Sequence, residues 1–233
     1  MSGPILLYSA GLDSHPAWYA LNRPPALHLD IRHHFRDQEL ACVRDLAGRA
    51  GIDLEISSEL DLSRYDNDQA DIIPLRNMYF AMLAAQRGAD VIWCVGVKGD
   101  HTRDKSPEAF AAMSAFLSRF ADRPIRVDSP FWDKTKSEIV AWYLAEQHPV
   151  DELLATFSCL TPGSSFEHCG RCPSCLRRWI ALANNGLDGA FAAPPWKWER
   201  VSSYYLTAMR GGTYPPARVA EFTAAMATVG VSL

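Results

Sequence analysis

A chain of 233 residues with 48% apolar and 21% charged residues can bury a substantial core, and it fits one large domain or one domain with a small appendage. Its 23 basic and 27 acidic residues leave a net charge of −4 without a basic stripe to follow a phosphate backbone, so no stable nucleic-acid binding is expected. No apolar run reaches the length of a membrane helix and no signal segment precedes the first strand, which predicts no membrane partner and a cytoplasmic location.

The first strand-like segment, residues 5–8, ends at Tyr8 and opens into Ser9-Ala10-Gly11-Leu12-Asp13-Ser14, after which a helical pattern runs through 15–21. A short buried strand followed by small, hydroxylated and flexible residues and then a helix is how an α/β protein cradles an anion. Backbone N–H groups would face a phosphate, the Ser9 and Ser14 hydroxyls add donors, and Gly11 lets the backbone approach closely. The other reading is a strand-to-helix turn in which Ser and Asp cap the helix. It is not a Walker loop, since G-x-x-x-x-G-K-[ST] is absent.

Further strands are predicted at 27–31, 54–57, 91–95 and 125–127. Helices alternate with them near 38–50, 77–87, 108–120 and 136–146. Such alternation implies βαβ units and a doubly wound parallel sheet, whose ligands bind beyond the carboxyl ends of the strands. The Ser9 loop and the segments after Ile31 and Val95 would therefore converge on one crevice. His33 and His34 lie after the second strand, where alternation lets at most one face that crevice. We divide the chain into a nucleotide-binding α/β domain, 1–150, and a C-terminal region, 151–233, packed on it.

That last third carries a cysteine cluster, a helix at 176–183, a loop at 192–198 with Trp196 and Trp198, and a closing helix at 216–229. The two tryptophans read as an aromatic lid on the core or as a stacking surface for a base or partner. Tyr204, Tyr205, Leu206 and Tyr214 would form a subunit interface or cover the sheet. Cys42 and Cys94 sit singly in apolar settings and read as packed core thiols. Cys159, Cys169, Cys172 and Cys175 follow C-x9-C-x2-C-x2-C, in which two overlapping C-x-x-C steps and a fourth sulfur from across a loop suit tetrahedral zinc. An iron–sulfur cluster and a redox dithiol are the competing readings. Gly170 permits the sharp turn, Arg171, Arg177 and Arg178 supply positive charge near the thiolates, and His168 is an alternative ligand.

The Ser9 loop resembles the S-G-G-x-D-S loop of the N-type ATP pyrophosphatases (PP-loop superfamily), with Ala10 in place of one glycine. Together with the knuckle from His168 to Cys175 it resembles the QueC family of 7-cyano-7-deazaguanine synthases of the queuosine pathway. Pro74-Leu75-Arg76-Asn77, Gly96-Val97-Lys98-Gly99-Asp100, Pro107-Glu108-Ala109-Phe110 and the run from Lys134 to Val140 resemble that family's intermediate motifs. The family's Y-G-Q is not visible in Asp30-Ile31-Arg32-His33-His34. Its Asn after G-V is Lys98, and its D-x-R-P-E appears as Asp104-Lys105-Ser106-Pro107-Glu108; Lys98, Arg103 and Lys105 are charges gained around the substrate crevice. The tail from Val201 onward has no counterpart in the resemblance, which fits a divergent member.

The resemblance implies an ATP-dependent ligase in which a deazapurine-like carboxylate attacks the α-phosphorus of ATP, pyrophosphate leaves into the loop, and ammonia converts the acyl adenylate to an amide. A second activation then gives the nitrile. Zn²⁺ and Mg²⁺ are the implied metals, and self-association as a homodimer is the implied assembly. We assign Tyr8, Ser9, Ala10, Gly11, Leu12, Asp13, Ser14 and Gly96 to nucleotide binding, with Asp13 holding Mg²⁺ or ordering the loop. Arg76, Lys98, Lys136 and Asp100 are assigned to the chemistry, Asp104 is a further candidate for metal or a purine-like edge, and the four cysteines hold zinc. Two other readings keep less of this. One is a QueC-like protein of a modification or antiviral-defence system with a different acid or acceptor. The other is a nucleotide-binding interaction module without turnover.

Overall fold

Five strands supply the frame: β1 (Gly3–Leu7), β2 (Ala26–Leu29), β3 (Leu54–Ser57), β4 (Ala89–Trp93) and β5 (Arg126–Asp128). In the computed structural model, which describes residues 3–66, 73–100, 104–161 and 167–231, they pair in the order β3-β2-β1-β4-β5 and every pairing is parallel. Parallel strands need crossovers, and helices supply them. α1 (Ser14–Ala20), α2 (Arg36–Ala50) and α5 (Lys136–Ala145) bury Trp18, Val43, Leu46 and Ile139 with Leu6 of β1 on one face. α3 (Arg76–Gln86) and α4 (Pro107–Ala121) bury Ala84, Phe110 and Leu117 with Leu29 and Ile92 on the other. The α/β, doubly wound class predicted from the alternation is the observed one. The direction of winding reverses between β1 and β4, which makes the carboxyl ends of those two strands the switch point.

Strand boundaries differ from the apolar pattern in one consistent way. β1, β2 and β4 end one or two residues early, and Tyr8, Ile31 and Val95 are buried without belonging to the ladders. Apolar pattern reports burial, whereas strand assignment needs backbone pairing, and these three residues sit where the chain leaves the sheet to build the crevice. Helix starts are set by local chemistry. Ser106 accepts from Ala109 N at 3.1 Å with Pro107 opening α4, and Thr135 and Glu138 form a reciprocal capping box at the head of α5.

The C-terminal region adds α6 (Val150–Ala155), α7 (Pro173–Ala183), a π-helical turn (Val201–Tyr205) leading into α8 (Leu206–Arg210), and α9 (Pro216–Thr228). α6 was not predicted, because six residues are too few for a periodic signal. Leu176, Trp179, Tyr205, Met209, Phe222 and Met226 make a core of their own. Trp196 lies on Trp179 with ring centroids 5.2 Å apart and Tyr205 stacks on Tyr214 at 6.2 Å, so both tryptophans and this tyrosine pair cover the helical core rather than the sheet. Cys42 and Cys94 are buried, donate to Ala155 O and Asn77 Oδ1, and burial pushes their thiols up to about 12 and about 11. Among the described residues no helix is long and apolar enough to cross a membrane.

Candidate functional site: a nucleotide crevice beside a four-cysteine knuckle

The β1–α1 loop closes on a single atom. Ser14 Oγ accepts from Ser9 N at 3.2 Å and Gly11 N at 3.1 Å, and lies 3.1 Å from Ser9 Oγ. Ala10 sits at φ 51°, in the left-handed region that costs a residue with a Cβ about 1–2 kcal/mol. The Ala10 methyl is fully buried. Asp13 precedes α1 but makes no side-chain cap bond; its Oδ2 is ion-paired with Lys136 Nζ at the head of α5. The helix-cap reading of Asp13 is thereby set aside. Behind the loop, Tyr8 Oη meets His15 Nδ1 at 2.9 Å, and His15 Nε2 meets Glu152 Oε2 at 3.0 Å, tying the loop to α6. Burial lowers the His15 pKa against the pull of Glu152.

A cavity of about 320 Å³ lies over the switch point, in the range of small-molecule sites. Its walls bring together Ser9, Gly11, Leu12, Asp13 and Ser14 from the loop, Arg76 from α3, Asp100 and Lys105 from the β4–α4 connection, and Lys136 from α5. Four buried side-chain atoms on this wall lack a hydrogen-bond partner among the described residues: Asp13 Oδ1, His28 Nε2, His33 Nδ1 and Arg76 Nε. Buried polar atoms are ordinarily satisfied, so their convergence on one cavity points to a ligand. Burial lowers the pKa of Lys136 with help from Arg177, while Asp13 and Asp100 oppose it. Asp100 is raised by burial but more strongly lowered by Lys105, whose Nζ is 3.0 Å away, and by Lys136 and Arg177.

Other predicted residues fall elsewhere. Gly96 does not line the crevice: its amide and carbonyl are both bonded to Ser129 Oγ, and an added Cβ would lie 2.2 Å from the Trp132 ring. Glycine is needed there for packing. Lys98 is exposed and lines a neighbouring cavity, with its amide bonded to Lys134 O at 2.8 Å. Asp104 is occupied in holding α3, accepting from Asn77 N at 3.3 Å. Arg103 lies outside the described residues. Of the adjacent histidines only His33 lines the crevice; its Nε2 donates to Glu39 at 2.6 Å. Burial raises the Glu39 carboxyl, but His33, His28 and Arg76 outweigh it and keep the pKa low. Glu39 and His28 carried no motif and were not foreseen. Arg177, read as a balance for thiolates, instead lines the crevice and lies 4.0 Å from Asp100.

The four cysteine sulfurs lie within 4.8 Å of one another, with Cys169 and Cys175 3.8 Å apart. A tetrahedron with Zn–S of about 2.3 Å has edges of about 3.8 Å, so the set fits zinc. Backbone amides also point at sulfur: Arg171 N at Cys169 (3.2 Å), Thr161 N at Cys159 (3.4 Å) and Cys175 N at Cys172 (3.4 Å). Those donors support thiolate charge. Gly170 has φ 71°, and a Cβ there would stand 1.8 Å from Ala193 O. His168 is not in the sulfur set; its Nε2 accepts from Ser158 N at 3.1 Å, and burial holds its pKa down at about 3. Cys172 is at once a sulfur of the set and the N-cap of α7, so the knuckle fixes the start of the helix that carries Arg177 to the crevice and buries Arg178 against Thr156 and Leu154 O.

A doubly wound parallel sheet with a cation-lined crevice at its switch point, joined to a four-cysteine knuckle, defines an α/β protein with a ligand site at the carboxyl ends of β1 and β4. The family profile described as "Queuosine biosynthesis protein QueC" matches residues 25–186, and the chain belongs to that family. Relatives named 7-cyano-7-deazaguanine synthase include one from Marinobacter nauticus, 29% identical over 61% of this chain and 66% of its own length. A second, from Methanocaldococcus jannaschii, is 30% identical over 56% of this chain and 60% of its own. A third, from Chromohalobacter salexigens, is 26% identical over 78% and 82%. The chain thus spans about two thirds or less of the length of the first two.

Proposed function

We propose that the protein is an ATP-dependent ligase that activates a carboxylate as an acyl adenylate and passes it to ammonia, converting 7-carboxy-7-deazaguanine to 7-cyano-7-deazaguanine. The observation that carries this reading is the crevice itself. A loop of small and hydroxylated residues, four cations (Arg76, Lys105, Lys136 and Arg177) and four buried polar atoms without a hydrogen-bond partner among the described residues converge where a doubly wound sheet binds its ligand. The names of the relatives supply the substrate.

In the first step a carboxylate oxygen attacks the α-phosphorus of ATP and the bond to the bridging oxygen breaks, releasing pyrophosphate. Charge grows on the leaving group, so fixed cations and donors aimed at it favour the transition state. Lys136 and Arg76 stand on that wall and the Ser9 to Ser14 loop would release its internal bonds to the phosphates. Mg²⁺, held by the unpartnered oxygen of Asp13, would neutralise phosphate charge when bound. Ammonia then attacks the acyl carbon, AMP leaves with the carboxylate oxygen, and an amide results. A second ATP takes up the amide oxygen, AMP departs with it, and the amide nitrogen loses two protons to give the nitrile. The zinc knuckle has no part in these steps beyond holding α7 and Arg177 in place. A homodimer is the assembly proposed, to be read by light scattering. Release of pyrophosphate that requires the acid, with a product of nitrile mass, tests the reading. Turnover with ATP alone, or with none of the acid consumed, would refute it.

A further inference from the structure

Beside the nucleotide crevice lies a second cavity of about 180 Å³, with the motif residues 97–100 and 135–137 on one side of it. The two share a wall of Asp100, Lys136 and Arg177, so a ligand in one meets a ligand in the other across those residues. Much of the second cavity is built by the C-terminal tail, beyond the stretch that the family profile matches: Tyr205, Met209, Arg218 and Phe222 line it. Glu221 of α9 accepts from Ser137 N in the first turn of α5 at 3.2 Å, which holds the tail against the segment that presents Lys136.

The lining has two parts. Leu176, Ile180, Tyr205, Met209 and Phe222 form an apolar wall suited to a flat ring. Four cations, Lys98, Lys136, Arg177 and Arg218, face two carboxylates, Asp100 and Glu221. Both carboxylates already have partners, in Lys105 and in Ser137 N. Lys98 and Arg218 have no ion-pair partner among the described residues, and the Arg218 guanidinium rests 4.7 Å from the Tyr214 ring centroid. Such a cavity carries a surplus of two positive charges beside an apolar face. Its volume lies below the roughly 300–1,000 Å³ of drug-sized sites, which suits one or two fused rings and not a nucleotide.

We infer that this tail-built cavity is the acid-binding subsite: it takes a small planar heteroaromatic carboxylate, its ring on the Leu176–Phe222 wall and its negative charge on Arg218 and Lys98 beside Lys136. The inference rests on the adenylation reading, because only there does an acid need to lie against the nucleotide crevice. Arg218 comes from a segment outside the region that the family profile matches. Arg218 is a specificity residue in this account.

Equilibrium binding on the full chain separates the alternatives. Calorimetric titration of 7-carboxy-7-deazaguanine, and of indole-3-carboxylate as a plain bicyclic acid, would be run on the wild type, Arg218→Ala, Arg218→Lys and Arg76→Ala, each also titrated with ATP. We expect Arg218→Ala to weaken acid binding at least tenfold with ATP affinity unchanged within twofold. Arg218→Lys should recover part of the loss, and Arg76→Ala should weaken ATP and spare the acid. Acid binding that follows Arg76 and ignores Arg218, or no binding of either acid to the wild type, would overturn the assignment. Acid binding that follows Arg218 without acid-dependent release of pyrophosphate would leave the cavity standing and remove the adenylation reading instead.

Discussion

Gly170→Ala tests how tightly the knuckle is built, and its cost can be worked from two separate terms. The left-handed φ of 71° costs alanine about 1–2 kcal/mol. The added Cβ would also stand 1.8 Å from Ala193 O and 2.7 Å from its carbonyl carbon, which are backbone atoms that cannot rotate away. Moving them strains the bond from Ala192 N to His168 O, now 2.8 Å, and overpacking of this kind costs about 1–3 kcal/mol. The total is about 2–5 kcal/mol. Gly51, which ends α2, is the control: its φ is 69° but an added Cβ meets nothing within 4 Å, so Gly51→Ala pays only the first term. Urea unfolding of the metal-loaded protein, with zinc retention followed against a competing chelator, reads both effects. Gly170→Ala should lose at least about 1 kcal/mol more than Gly51→Ala, together with weaker zinc retention. Equal stability and equal zinc retention in the two variants would refute the packing argument.

Lys136→Ala should reduce acid-dependent pyrophosphate release by about 10²–10³-fold, the usual effect of removing one donor aimed at developing charge, while the protein stays folded; steady-state kinetics beside a melting curve checks this. Ala10→Gly should leave stability within about 1 kcal/mol of wild type, because relief of the positive φ offsets loss of a buried methyl, whereas Ala10→Val should cost about 2–4 kcal/mol by denaturant unfolding. His15 has a folded pKa below its ordinary value, so the unfolded chain takes up the proton first and stability falls as pH drops below about 6.5. His15→Gln should flatten that part of the unfolding profile. Cys175→Ser should abolish stoichiometric metal binding and destabilise the start of α7, read by metal analysis and hydrogen exchange at 173–178.

The sheet was legible because its strands alternate with helix-length amphipathic stretches, and that pattern survives loss of individual boundaries. The four cysteines were legible because their spacing brings four sulfurs to one point. The place of Gly96 was not, although it occupies a motif that resembles the family's. A motif gives the order of residues, but Ser129 takes up Gly96, Trp132 packs over it, and Lys98 faces the second cavity. Glu39, His28 and Arg177 reach the crevice from within helices or a strand, where their neighbours in sequence are ordinary surface or core residues, so only tertiary structure assembles them. The tail was the least legible part. Its tyrosines and tryptophans signal burial, but nothing in their spacing says that they bury against α7 and enclose a cationic cavity.

The most direct measurement of the central claim is pyrophosphate release by the purified, zinc-loaded protein supplied with ATP, Mg²⁺, ammonium and 7-carboxy-7-deazaguanine, with mass analysis of the product. The account predicts release that depends on the acid, a product of nitrile mass, and loss of both in Asp13→Ala. Pyrophosphate release indifferent to the acid, or full turnover in Asp13→Ala, would contradict it.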